Sequence, residues 1–187
     1  MKRGFKAEAE RQAIFYRRLL NLKEHDPLPA RQLAEHLKIR LLTPKDILQI
    51  TNELLNVLLI TGRNSWSAAI FVKNDQHFII HNPTHSNFRQ ESDLMHEIAH
   101  LICGHELKDL ETAIKGCMLP LRKYDKDQED EAEWLGSCLQ LPQKALFYHY
   151  KIKKMKEEQI SKLFNASAQM VRYRISVSGI RKINWRK

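Results

Sequence analysis

Two histidines four residues apart, in His96-Glu97-Ile98-Ala99-His100, can present two imidazoles to one cation, because positions i and i+4 of a helix share a face. Neutral imidazole is a good zinc ligand. A neighbouring carboxylate that does not bind the metal, here Glu97, can take a proton from zinc-bound water. Zinc lowers the pKa of that water toward about 7, which supplies a nucleophile for a peptide carbonyl at neutral pH. The same pentapeptide also occurs in helices that merely carry two histidines. Its context argues for a site: Ile98, Ala99, Leu101 and Ile102 give the helix a buried side on which ligands can be held rigidly.

A catalytic zinc needs a third protein ligand and an open position. The extended pattern H-E-x-x-H-x-x-G-x-x-H fails, because position 103 is Cys, the glycine is Gly104 and position 106 is Glu. His105 reads as a residue near the helix end, favoured there by the dipole when charged, and not as a ligand. The acidic stretch Asp127-Gln128-Glu129-Asp130-Glu131-Ala132-Glu133 is the better source. Acidic residues also crowd helix N-termini for dipole reasons alone, and periodicity does not say which of these is recruited. Cys103, Cys117 and Cys138 lack C-x-x-C spacing, which argues against a disulfide framework and against cysteine-ligated zinc. Cys103 and Cys138, set among apolar residues, are expected as reduced core fillers.

The elements that must position this chemistry follow from periodicity. Apolar residues at helical spacing predict a helix over residues 6–22, and Pro29 suits the first turn of a second. A β-like IRLLT precedes a helical PKDILQITNELLNVLLI that closes at Thr61-Gly62. WSAAIFV and HFIIHN flank Lys73-Asn74-Asp75-Gln76 and predict a β-hairpin over residues 65–82. A helix from about Phe88 to His105, capped by Ser86 or Asn87, carries the histidines. Residues 107–126 are less regular, with Pro120 among them. Another helix is expected from about Asp127 to Leu141, stopped by Pro142, and the chain ends in two short helices around a tight turn, with Ser167 capping the second. The fold class is therefore α+β: a mostly helical domain with a small β-sheet before the histidine helix and a C-terminal helix-turn-helix-like segment.

The 187 residues suffice for one domain with a real core, read as residues 1–150 with a basic segment, 151–187, packed on it. With 43% hydrophobic and 28% charged residues the composition is ordinary for a globular protein. No apolar run approaches the roughly 20 residues of a membrane span. The N-terminus has no apolar stretch after its basic residues, so no secretory signal is read and the cytoplasm is the expected compartment. The net charge of +9 is concentrated in residues 151–187, which suggests an acidic partner or nucleic acid there, although a solvated basic face is the commoner meaning of a charge run.

Beyond the pentapeptide, the chain resembles the ImmA/IrrE family of metallo-endopeptidases from roughly residue 29 to residue 183. The resemblance is carried by WSAAIF, IIHNPTHSNFRQESDLMHEIAHLICGH, EDEAEWLGSCLQLP and ISKLFNASAQMVRYRISVSGI, in that order. It implies a zincin-like peptidase domain in which His96 and His100 bind zinc, Glu97 is the catalytic carboxylate, and Glu129, the first Glu of an E-x-x-A pattern, is the third ligand. Iron, manganese or nickel also suit two imidazoles and a carboxylate. The chain departs from many relatives at Glu133, where they carry Asn, and at Gly136-Ser137. Glu133 therefore stands as an alternative or supporting carboxylate. The resemblance further implies a protein substrate of the helix-turn-helix repressor type, in a stress-response locus or on a mobile element.

Three functions follow from these readings. One is a regulatory zinc endopeptidase that cuts a repressor. A second is a DNA-binding regulator that uses Arg172 and Arg174 of the C-terminal segment, against which stands a packing role for Met170, Val171, Tyr173 and Ile175. The third is a scaffold that binds a repressor without cutting it. The first is the reading preferred.

Overall fold

The computed structural model describes residues 1–47, 50–109 and 125–183. Helical spacing produces α1 (Phe5–Leu19), which buries Ala9, Ala13 and Ile14. Pro29 sits at the N-cap of α2 (Ala30–His36) and not within its first turn. The buried carboxylate of Glu91 takes over part of the capping, accepting the Ala30 N–H at 2.5 Å. Burial pushes the Glu91 carboxyl above its ordinary range.

Strand β1 (Arg40–Leu42) follows. The single helix expected through residues 44–60 is instead broken. Asp46 accepts from the Thr43 N–H and hydroxyl at 2.7 and 2.8 Å around a short 3-10 turn, Pro44–Asp46. Thr51 then caps a new helix, α3 (Asn52–Asn56), by accepting the Leu54 N–H. The Thr51 cap falls within the apolar-periodic run and restarts the helix there, since it offers the backbone a local partner. Residues 57–61 continue α3 as a wider turn that ends at Gly62.

The hairpin forms where alternation placed it, as β2 (Ala68–Lys73) and β3 (Gln76–His81), paired antiparallel. Asn74 and Asp75 both have positive φ, 49° and 59°, as a two-residue turn of the right twist requires. The sheet is larger than a hairpin: β1 adds to β3 in parallel, and β4 (Lys108–Asp109) adds to β2 at Phe71 and Val72, giving the order β1-β3-β2-β4. Adjacent residues point to opposite faces. Ile70 and Ile79 join the main core, while Phe71 and Ile80 join a smaller cluster with Ile47.

Helix α4 (Asn87–Ile102) is capped by Ser86, which accepts the Arg89 N–H. It packs against α5 (Lys126–Gln140), the most extensive helix pairing among the described residues. Leu94, Met95, Ile98 and Ala99 from one and Ala132, Leu135, Cys138 and Leu139 from the other fill the core. Cys138 is fully buried and Cys103 half-buried, in keeping with thiols used as filler. Burial pushes the Cys138 thiol up to about 12. Cys117 and Pro120 lie outside the described residues.

Helix α6 (Gln143–Leu146) leads into the helix pair at the C-terminus, α7 (Glu157–Leu163) and α8 (Ala168–Val177), with Ser167 capping α8 through the Met170 N–H. Val171 and Ile175 are buried in a second cluster with Leu141, Ile160 and Phe164. Arg174, read from sequence as a possible nucleic-acid contact, is fully buried. Its guanidinium donates to the Leu141 carbonyl at 3.0 Å and to Glu10 of α1 at 2.5 Å, so it ties α8 to the body and is not presented to a phosphate. Arg172 remains exposed beside Glu157, and Tyr173 is more exposed than a core residue. Among the described residues no helix is long and apolar enough to cross a membrane.

Candidate metal centre

His96 and His100 sit in the last two turns of α4, and the loop before that helix is fixed from within. His85 Nδ1 lies 3.0 Å from Asp93 of α4, and the Asn82 side chain binds the Arg63 carbonyl at 2.7 Å. The helix is therefore anchored at its start and packed along its length before it reaches the site. His100 is fully buried, Glu97 is buried, and His96 is half-buried, so the site opens to solvent on the His96 side.

The two Nε2 atoms lie 3.1 Å apart. Glu129 of α5 closes a triangle with them: its Oε2 is 3.2 Å from His96 Nε2 and its Oε1 is 3.6 Å from His100 Nε2. Ligands about 2.0–2.1 Å from a tetrahedral zinc stand about 3.3 Å from one another. The three edges bracket that separation, and two imidazoles with a carboxylate are a donor set that zinc accepts. Residues from two helices thus fit one ion.

Glu97 also has a carboxylate oxygen close by, since it, His96 and His100 form a group whose candidate ligand atoms all lie within 4.8 Å of one another. Its Oε2, however, accepts the Ile70 N–H of β2 at 2.9 Å. That bond anchors the carboxylate to the sheet, beyond the stretch at which β4 pairs. Glu129, by contrast, contacts both Nε2 atoms.

Glu133, one turn along α5, does not join the triangle through any contact to the histidines among the described residues. It lines a cavity of about 550 Å³ with Phe88, Arg89, Met170 and Tyr173. His105, read from the sequence as a helix-end residue and not as a ligand, lies against the site: its Nδ1 is 2.8 Å from His100 Nδ1 and its Nε2 is 3.5 Å from Glu131. A glycine just after the helix, Gly104, was the available signal, because a left-handed residue at that position turns the next side chain back over the last turn.

The approach of α5 to α4 depends on Gly136. A Cβ there would stand 3.0 Å from the Met95 carbonyl oxygen and 3.1 Å from the His96 nitrogen, both backbone. Gly136→Ala is expected to cost about 1 kcal/mol net, overpacking outweighing the gain in helix propensity, and to lower Tm by about 2–4 °C. It is also expected to loosen metal binding, because Glu129 moves with α5. A melting curve and a zinc titration check this; a raised Tm with unchanged affinity contradicts the proposed spacing requirement.

An α+β fold that holds a His-Glu-x-x-His helix against a carboxylate from a second helix defines a site of the metallopeptidase kind. The model of a peptidase family, M78, described as an IrrE N-terminal-like domain, matches residues 56–176. That is more than half of the chain, which belongs to this family and is a metallopeptidase. No curated protein and no solved structure matched it.

Proposed function

We propose that the chain is a zinc-dependent endopeptidase, acting in the cytoplasm on a protein substrate, with a helix-turn-helix repressor as the substrate class. The convergence of His96 Nε2, His100 Nε2 and the Glu129 carboxylate within 3.1–3.6 Å carries the metal part of this reading. These three residues would hold the ion. When bound, zinc supplies Lewis acidity, polarising both a water and the scissile carbonyl; iron, manganese or nickel would suit the same donors.

The remaining chemistry belongs to the chain. Glu97, anchored by the Ile70 N–H, takes the proton of the attacking water and delivers it to the leaving amine, so that acid and base roles fall to one group. His96, the more exposed of the two histidines, leaves the approach open. The cavity beside Glu133 lies one turn from Glu129 along α5 and includes Phe88 of α4 and Tyr173 of α8. It offers room for side chains flanking the scissile bond. In this reading the C-terminal segment serves as a wall of the groove, which the burial of Arg174 supports.

Cleavage of a repressor encoded beside the gene, followed by mass spectrometry, tests the reading. A chelator is expected to stop cleavage and added zinc to restore it. Cleavage indifferent to chelator contradicts the metal role, and intact repressor in the presence of zinc-loaded protein contradicts the substrate assignment.

A further inference from the structure

Helix α4 ends in a turn that does more than stop it. The His105 N–H donates to the His100 carbonyl at 3.1 Å and the Gly104 N–H to that of Leu101 at 3.0 Å, with Gly104 at φ +68°. This paired closure reverses the chain and lays the His105 ring over His100. The His105 and Glu131 side chains are only 6% and 12% exposed, so both are largely withdrawn from water.

We propose that Glu131 and His105 form a hydrogen-bonded relay that fixes the ring and the tautomer of His100, making His105 a positioning residue for the metal; this rests on the ligand set proposed above. An ionised carboxylate only accepts, so Glu131 places the His105 proton on Nε2. His105 Nδ1 is then left as a lone pair, and it can only accept from His100 Nδ1, 2.8 Å away. His100 consequently carries its proton on Nδ1 and turns the Nε2 lone pair toward His96 and Glu129. Both ring nitrogens of His105 are engaged in this chain, so neither is directed at the metal position. Glu131 in turn is held by the Lys2 N–H, which donates to its other oxygen at 3.1 Å. Outer partners of this kind hold a ligand ring in place and raise its basicity.

The test is zinc affinity, measured by competition with a chromophoric chelator, together with the visible spectrum of the cobalt-substituted protein. His105→Leu removes the acceptor at similar bulk and is expected to weaken zinc binding about 10–100-fold and to shift the cobalt bands. His105→Asn places an oxygen near the position of Nδ1 and is expected to recover affinity and spectrum. Glu131→Leu is expected to weaken binding less than His105→Leu does. Circular dichroism confirms that each variant is folded. The proposal is overturned if His105→Leu binds as tightly as wild type, or if the Leu and Asn variants lose affinity equally, since packing alone would then explain the residue. Should wild type bind no zinc, or His100→Ala bind as well as wild type, the ligand set falls and the relay with it. Weak binding by His100→Ala beside normal binding by His105→Leu refutes the relay alone.

Discussion

Replacing Glu97 with Gln is expected to leave zinc affinity close to that of wild type and to slow substrate cleavage by about 10²–10⁴-fold. The amide keeps the size of the carboxylate, and its oxygen can still accept the Ile70 N–H, so β2 and α4 remain joined. What disappears is the capacity to take and return a proton. The combination of retained metal and lost turnover separates the two roles open to Glu97, whose carboxylate lies close enough to His96 and His100 to be considered as a ligand. Loss of zinc in this variant would make Glu97 a ligand. Full activity would remove it from the reaction, and would leave binding of a repressor without cutting as the better account.

Glu129→Ala is expected to weaken zinc binding by more than the 10–100-fold typical of losing an outer partner, while Glu133→Ala leaves it nearly unchanged. Glu129 touches the Nε2 atoms of both histidines, whereas Glu133 faces the neighbouring cavity with Tyr173. A lost ligand leaves two imidazoles to hold the ion. A carboxylate lining the groove has no such effect and is expected to alter KM in place of metal content. Competition with a chelator reads the first effect, and cleavage kinetics read the second.

The helix that carries His96, Glu97 and His100 was legible from spacing, and the fold brings their candidate ligand atoms within reach of one another. The acidic stretch after residue 126 was legible as a source of ligands, but its period could not choose among five acidic side chains. The family resemblance singled out Glu129, and the packing of α5 on α4 sets it at the triangle, while Glu131, two residues on, is turned to His105. His105 was set aside as a ligand because the extended spacing fails and the dipole accounts for a histidine at a helix end, while the reversal at Gly104 that lays it over His100 has no periodic trace. The hairpin, the Ser167 cap and the two C-terminal helices were readable from alternation and cap chemistry. The break of the helix expected over residues 44–60 was less readable, because Thr51 does not disturb the apolar period that suggested one helix. The pairings of β1 and β4 are non-local and leave no periodic trace. Arg174 looked like an exposed base by composition, and its burial depends on Glu10, a residue distant in sequence.

The most direct test of the central claim is the zinc content of the purified protein by elemental analysis, after zinc is supplied, for wild type, His96→Ala, Glu129→Ala and Glu97→Gln. Close to one zinc per chain is expected in wild type and Glu97→Gln, and almost none in His96→Ala and Glu129→Ala. Wild type without zinc, or a Glu129→Ala variant that keeps its zinc while Glu97→Gln loses it, would contradict the account.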